Sequence, residues 1–339
     1  MSKRKIEMTL KKIGYLSVIG AALLGPMQAY ACASCGCTLS SDWENLGFSS
    51  SSGFKIDLRY DYLNQNQLRS GTHISSLSSA TAGNPAAGTE IEKYTRNNYV
   101  TAAIDYSTTP DWGVNVQLPY INRNHTTLGS SPDGVTPDDG AYHSSTSGVG
   151  DIKVIGRYQG FTEQHNFGLL LGLKLPTGSH TKAGSLSDGS GSTAIDRGLQ
   201  PGSGTTDAIV GAYYVDSFNQ NWGYFTQAIV QKPLDTSDGY KPGDSLNINL
   251  GLRYQGFDDI TPQLQVNARF VEHDHGTNGG GPAATGTGGT LIYLSPGATY
   301  RVSKEVKVYG YVQLPIYQDV NDLQLAPRWT ASVGLNYAF

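Results

Sequence analysis

Sulfur, charge and long apolar runs are all scarce in this chain of 339 residues. It holds three Cys and three Met, and only 15% of its residues are charged. Strong helix formers are not in excess, which argues against a helical fold. A formal net charge of -4 supplies no global basic field, so nucleic acid is excluded as an expected partner. Beyond residue 31 no apolar run is long enough to cross a membrane as a helix. The signatures GxSxG and HExxH are missing as well. A lipase-like barrel would need an outward Ser–His pair near its outer rim; the sole His near an outward position is His165, with no outward serine beside it. The chain is therefore expected not to be an enzyme.

What it has instead is glycine and aromatic residues, 42 Gly and 21 Tyr among them, the composition of strands and loops. The N-terminus has the marks of export. Lys3, Arg4, Lys5, Lys11 and Lys12 precede an apolar stretch from Ile13 to Gly25, and Ala29 and Ala31 occupy the small-residue positions that a signal peptidase reads. Thirteen helical residues rise only about 20 Å, short of a hydrocarbon core of about 30 Å. Residues 1–31 are thus expected to be a signal peptide.

Period-two alternation dominates the rest. In Phe54–Leu63, Phe54, Ile56, Leu58, Tyr60 and Tyr62 share one face and Lys55, Asp57, Arg59 and Asp61 the other. The same pattern marks segments at about 95–106, 112–121, 149–158, 165–175, 205–215, 222–231, 245–255, 262–272, 290–301, 305–317 and 328–339. Most run ten to twelve residues, the length a tilted bilayer-crossing strand needs. Long and short connections alternate, as in outer-membrane barrels with short periplasmic turns and long external loops. The expected fold is all-β: a single 12-stranded antiparallel transmembrane barrel over 53–339, in the outer membrane, with both termini periplasmic. Residues 32–52 would be a Cys-containing periplasmic segment. The Gly- and Ser-rich stretches Gly178–Gly204 and Gly276–Gly289 read as mobile external loops.

Two resemblances add to this reading. The last strand, ending Leu335-Asn336-Tyr337-Ala338-Phe339, resembles the C-terminal signal of outer-membrane proteins, which implies the barrel-assembly machinery as a partner besides the lipid bilayer. Gly148-Val149-Gly150-Asp151-Ile152-Lys153 with Tyr158, then Gly172-Leu173-Lys174-Leu175-Pro176-Thr177-Gly178, then Leu199-Gln200-Pro201-Gly202-Ser203-Gly204 with Asp207, look like the successive motifs of the MetA-pathway-of-phenol-degradation family of outer-membrane proteins. The resemblance implies a transporter-like barrel and names no substrate.

Alternation directs Lys55, Arg59, Lys153, Arg157, Lys174, Arg253, Arg269, Arg301, Lys307 and Arg328 to the lumen, ten cations against the five acids Asp57, Asp61, Asp105, Asp151 and Asp207. Such an excess concentrates anions in a low-dielectric passage, unless the charges pair and merely brace the wall. Tyr293, Tyr309, Tyr311 and Tyr317 would add inward rings suited to aromatic cargo, or simply fill the interior. The expected function is passage of a small solute, anionic or aromatic, through a net-positive lumen.

Two clusters stand apart. Cys32, Cys35 and Cys37 allow three readings: a soft-metal site for Cu or Zn, a disulfide with a leftover thiol, or lipid attachment at Cys32. A c-type haem is excluded because Gly36 follows Cys35 where His is required. The alternative function is a barrel that docks a periplasmic metal or redox partner through this CxxCxC segment. No other cofactor is expected. In His273-Asp274-His275 after Glu272, extended geometry makes the two imidazoles converge and turns Asp274 away; a solvated rim or a divalent-cation site would both use them.

Overall fold

A computed structural model describes residues 52–76, 91–128, 141–185, 192–276 and 286–339. Residues 1–31, expected to be a signal peptide, and Cys32, Cys35 and Cys37 after them, lie outside the described residues.

Eleven strands make the main sheet: β1 (Gly53–Gly71), β2 (Ile91–Ser107), β3 (Trp112–Leu128), β4 (Ile152–Tyr158), β5 (Phe167–Leu175), β6 (Asp207–Ser217), β7 (Trp222–Pro233), β8 (Ser245–Tyr254), β9 (Ile260–Val271), β10 (Gly289–Arg301) and β11 (Val306–Ala338). Each pairs antiparallel with its chain neighbours. Strand β11 returns to pair with β1, so the sheet closes into a barrel and leaves no edge. Two further strands lie off the ring, His73–Ile74 on β1 and Ala141–Val149 on β3.

The alternation read from sequence sets which face is which. Leu58 is 52% exposed on the outer wall, whereas its neighbour Asp57 is 3% exposed inside. The same inversion recurs on β3, where Val114, Val116 and Leu118 are exposed and Asn115 and Gln117 buried. Apolar outside and polar inside reverses a soluble protein and is the arrangement that hydrocarbon solvent requires.

Three details depart from the expected strands. The stretch expected at 149–158 is broken. Gly150 donates to the Pro119 carbonyl (2.8 Å), and Ala141–Val149 and Ile152–Tyr158 pair with β3 as separate pieces. Strand β11 is 33 residues long; residues 307–320 pair with β10 and residues 320–338 with β1. Asp322 has φ 52°, and bonds from Thr330 to Gln313 (2.6 Å) and from Gln318 to the Pro327 carbonyl (2.8 Å) tie the two halves face to face. The chain thus reverses near Asn321–Asp322, and residues 323–327, expected to be loop, continue the ladder to β1.

Third, two bulges change parity. Ile292 pairs with Tyr317 but Tyr293 with Pro315, so an extra residue turns Tyr317 outward, against the inward expectation. Leu63 pairs with Thr330 but Gln65 with Pro327, and Arg328 sits exposed at that irregularity instead of in the buried lining.

Candidate functional site in the barrel lumen

Toward the short-turn end the lumen is filled by side chains. The Tyr309 hydroxyl donates to both Asp57 oxygens (2.9 and 3.0 Å), and its ring stacks on Tyr311 with centroids 6.3 Å apart. Arg157 reaches across from β4 to Asp105 (3.1 Å) and Ser107 (2.7 Å) on β2. A ladder of amides crosses the opposite wall: Asn249 donates to Gln227 (3.0 Å), Asn267 to Asn249 (2.7 Å), and Ser295 to Asn267 (2.5 Å). Phe225 fits only because Gly251 faces it; a Cβ there would lie 2.0 Å from the ring.

Above this layer lies a cavity of about 240 Å³ whose two sides differ in chemistry. Ile155, Ile209 and Ile229 on β4, β6 and β7 form an apolar side, backed by Leu170 and Tyr213. Arg59, Arg123, Lys153, Lys174 and Arg269 supply cations, against Asp61 and Asp151. Asp61 is held by Arg59 at 2.8 Å.

The connection between β5 and β6 caps this cavity from within. It carries a 3-10 turn at Arg197–Leu199, and Ile195, Arg197, Leu199 and Gln200 are all buried. The stretch expected to be a mobile external loop is, over its described part, anchored inside the barrel. Arg123 donates to the carbonyls of Gly198 (2.5 Å) and Gln200 (3.0 Å), and Thr146 to that of Leu199 (2.9 Å). Arg197 donates to the carbonyls of Ser203 (3.1 Å) and Ser237 (3.0 Å) and lies over the Tyr240 ring.

Its far end is fixed at a charged node. Lys174 Nζ lies 2.8 Å from Asp207 and 3.4 Å from Asp151. Asp151 accepts from the backbone N–H groups of Gly178 (3.0 Å) and Ser203 (2.9 Å). Gly202 and Gly178 touch backbone to backbone, and a Cβ on Gly202 would stand 2.3 Å from the Gly178 oxygen. The three short motifs quoted from the sequence therefore meet in space, through hydrogen bonds that span 27 to 52 residues of the chain, as Asp151, Gly178 and Lys174, and Ser203 with Asp207.

The overall likeness to solved proteins agrees with this architecture. An outer membrane channel from Pseudomonas putida F1 superposes with a TM-score of 0.57 at 14% identity, over 85% of this chain and 96% of that one. The fold is that of an outer-membrane barrel. The monoaromatic hydrocarbon channel CymD aligns more loosely, at TM-score 0.45 and 10% identity over 85% and 89% of the two chains. Neither a protein-family model nor a curated protein matches the sequence.

Of the residues expected in the lumen, Arg59, Lys153, Lys174 and Arg269 are brought together around the cavity. Arg157, Tyr309 and Tyr311 are buried in the filled layer below it. Lys55 stands opposite Asp105 across β1 and β2, and Arg253 opposite Gln263 across β8 and β9, both half-buried. Arg301 and Lys307 pair across β10 and β11 at the exposed short-turn rim, where Arg301 lies 3.5 Å from Asp259. Rim strands end in solvent, which is why alternation there does not enforce burial.

Sequence reasoning missed Arg123 and Arg197, the two cations that grip the inward segment. Arg123 lies past the point where β3 loses its apolar face, and Arg197 sits in a stretch that composition marks only as loop. In the His-Asp-His cluster, His273 and His275 are exposed with rings 4.7 Å apart, while Asp274 is buried and accepts from Tyr240 (2.7 Å) and Gly243 N–H (2.9 Å). Burial pushes the Asp274 carboxyl above its ordinary range, against the pull of those hydrogen bonds. Among the described residues no three His, Cys, Asp or Glu side chains are grouped to hold a metal ion.

Proposed function

We propose that the protein is an outer-membrane channel that passes a small solute through its polar, net-positive lumen. The observation that supports this most directly is the closed barrel with its inverted polarity, enclosing a cavity with five cations against two acids. Arg59, Lys153, Lys174 and Arg269 are the members of the expected lining that act on the solute, with Lys55, Arg157, Arg253, Tyr309 and Tyr311 shaping the narrow lower passage. The inward segment 195–205 is the constriction.

In this reading the doubled-back β11 counts as two crossings, giving twelve, and an even count returns both ends of the chain to the periplasm. Residues 1–31 are a signal peptide and residues 32–52 a periplasmic extension. Insertion runs through the barrel-assembly machinery by way of the C-terminal strand. The convergence of the three motifs at Asp151 and Lys174 supports membership of the phenol-degradation-type transporter family, whose motifs those segments resemble.

Planar-bilayer recording of the refolded full chain tests the reading. Discrete conductance steps with anion preference are expected; a barrel that inserts and never conducts overturns it.

A further inference from the structure

We propose that the lumen cavity is a binding subsite for a small amphipathic carboxylate, one carboxyl group on an apolar ring or short branched chain, and that Arg123 receives the carboxylate. The proposal deepens the channel reading above and rests on it.

Arg123 is the reason for a carboxylate. It is buried, and every partner seen for its guanidinium is neutral: the Tyr99 hydroxyl (3.3 Å from Nε, 2.9 Å from Nη2) and the carbonyls of Gly198 and Gln200. A guanidinium keeps its charge at any working pH, so a full positive charge rests here on dipoles alone. The nearby acids are engaged elsewhere, Asp61 by Arg59 and Asp151 by Lys174, Ser203 and Gly178. A carboxylate replacing the two carbonyls on Nη1 exchanges neutral hydrogen bonds for charge-assisted ones, roughly twice as strong, without further desolvating the arginine. Arg123 also lines the space on the other side of the inward segment, so it is approachable from both directions.

The rest of the lining is the reason for an apolar body. Ile121, Ile155, Ile209 and Ile229 with Pro119 and Pro201 face the same cavity. A strongly hydrated inorganic anion gains nothing from that wall. A hydrocarbon makes neither a hydrogen bond nor an ion pair with the cations, and an organic ammonium is repelled by them. Only a molecule with one anionic end and one apolar end uses both sides.

The test uses the refolded full-length barrel in detergent and saturation-transfer NMR with benzoate, compared with benzyl alcohol, acetate and benzylammonium. Saturable benzoate binding is expected, with each of the other three at least tenfold weaker. Arg123→Gln should weaken benzoate at least tenfold, Arg123→Lys should restore part of the loss, and Lys304→Gln, in a short turn away from the lumen, should leave it unchanged. Heat-modifiable gel mobility shows whether each variant is folded; should Arg123→Gln fail to fold, the discrimination among the four probes by the unaltered protein decides alone. Benzyl alcohol binding as well as benzoate, or a folded Arg123→Gln barrel binding benzoate undiminished, overturns the proposal. A barrel that binds benzoate with this selectivity yet never conducts would remove the passage reading and leave the subsite; a conducting barrel indifferent to the carboxylate would do the reverse.

Discussion

Lys174 and Asp207 are direct cross-strand partners on β5 and β6, with Nζ 2.8 Å from Oδ2 and both side chains under a tenth exposed. The same ammonium also faces Asp151 and lies close to Ser203 on the inward segment. One buried cation thus serves two buried carboxylates and one end of the constriction.

Removing it should be costly. Lys174→Ala leaves Asp151 and Asp207 buried together without their counter-charge, a change that costs about 3 kcal/mol or more. The loss should appear as a lower urea midpoint in detergent, with higher single-channel conductance as Ser203 loses one of its anchors. Lys174→Met combined with Asp207→Asn should recover much of the stability, because it removes the pair and leaves Asp151 with its two backbone donors. A double variant as unstable as the single one would show that the node is not electrostatic.

The barrel was legible because a bilayer imposes a strict rule on every second residue, and Phe54 to Tyr62 obey it without exception. The rule says nothing where both faces are wet or where an extra residue enters. Tyr317 and Arg328 were misplaced for the second reason, since a bulge leaves no mark in the alternation it shifts. Arg123 and the 195–205 segment were missed for the first. Their placement comes from contacts between residues distant in the chain, 75 positions for Arg123 with Gly198 and 53 for Thr146 with Leu199, which no local pattern encodes. The glycines of the quoted motifs were visible as letters; that Gly178 and Gly202 press against each other was not.

That contact gives a second prediction. Gly202→Val drives its side chain into the Gly178 carbonyl, and the segment has to shift or the barrel absorb about 1–3 kcal/mol of overpacking. Trypsin should then cut after the normally buried Arg197 several times faster, with the gel mobility of the barrel preserved. Cleavage as slow as in the unaltered protein would place the grip on the segment wholly in Arg123 and Arg197.

Asp274 gives a pH dependence. Its carboxyl titrates above the ordinary 3.8 because it is buried, so the folded clasp with Tyr240 and Gly243 binds a proton more tightly than the unfolded chain does. Stability therefore falls as pH rises from 3.8 through the raised value and is level above it. The groups around it are His275 and Glu272 on its own stretch and Arg197 over the Tyr240 ring. Protection of the Gly243 amide, its exchange rate taken relative to that of an unstructured peptide at the same pH, should be greatest on the acid side of that window, and Asp274→Asn should flatten the profile. A slope that persists in the Asn variant would belong to the histidines instead.

The bulge on β11 is open to a direct test with adjacent residues. Tyr317 is 43% exposed on the outer wall and Gln318 is 5% exposed on the lumen side, the order that an uninterrupted strand from Tyr309 would invert. Tyr317→Cys and Gln318→Cys, each labelled with an environment-sensitive fluorophore in lipid vesicles, should separate cleanly. The first label should be quenched by a lipid-borne nitroxide and be indifferent to aqueous iodide; the second should show the opposite. Since Cys32, Cys35 and Cys37 would also react, the pair is made in a background with all three changed to Ser. Reversal of the two quenching patterns would mean that the strand runs without its extra residue, that Tyr317 joins Tyr309 and Tyr311 inside, and that the passage is narrower by one ring than described.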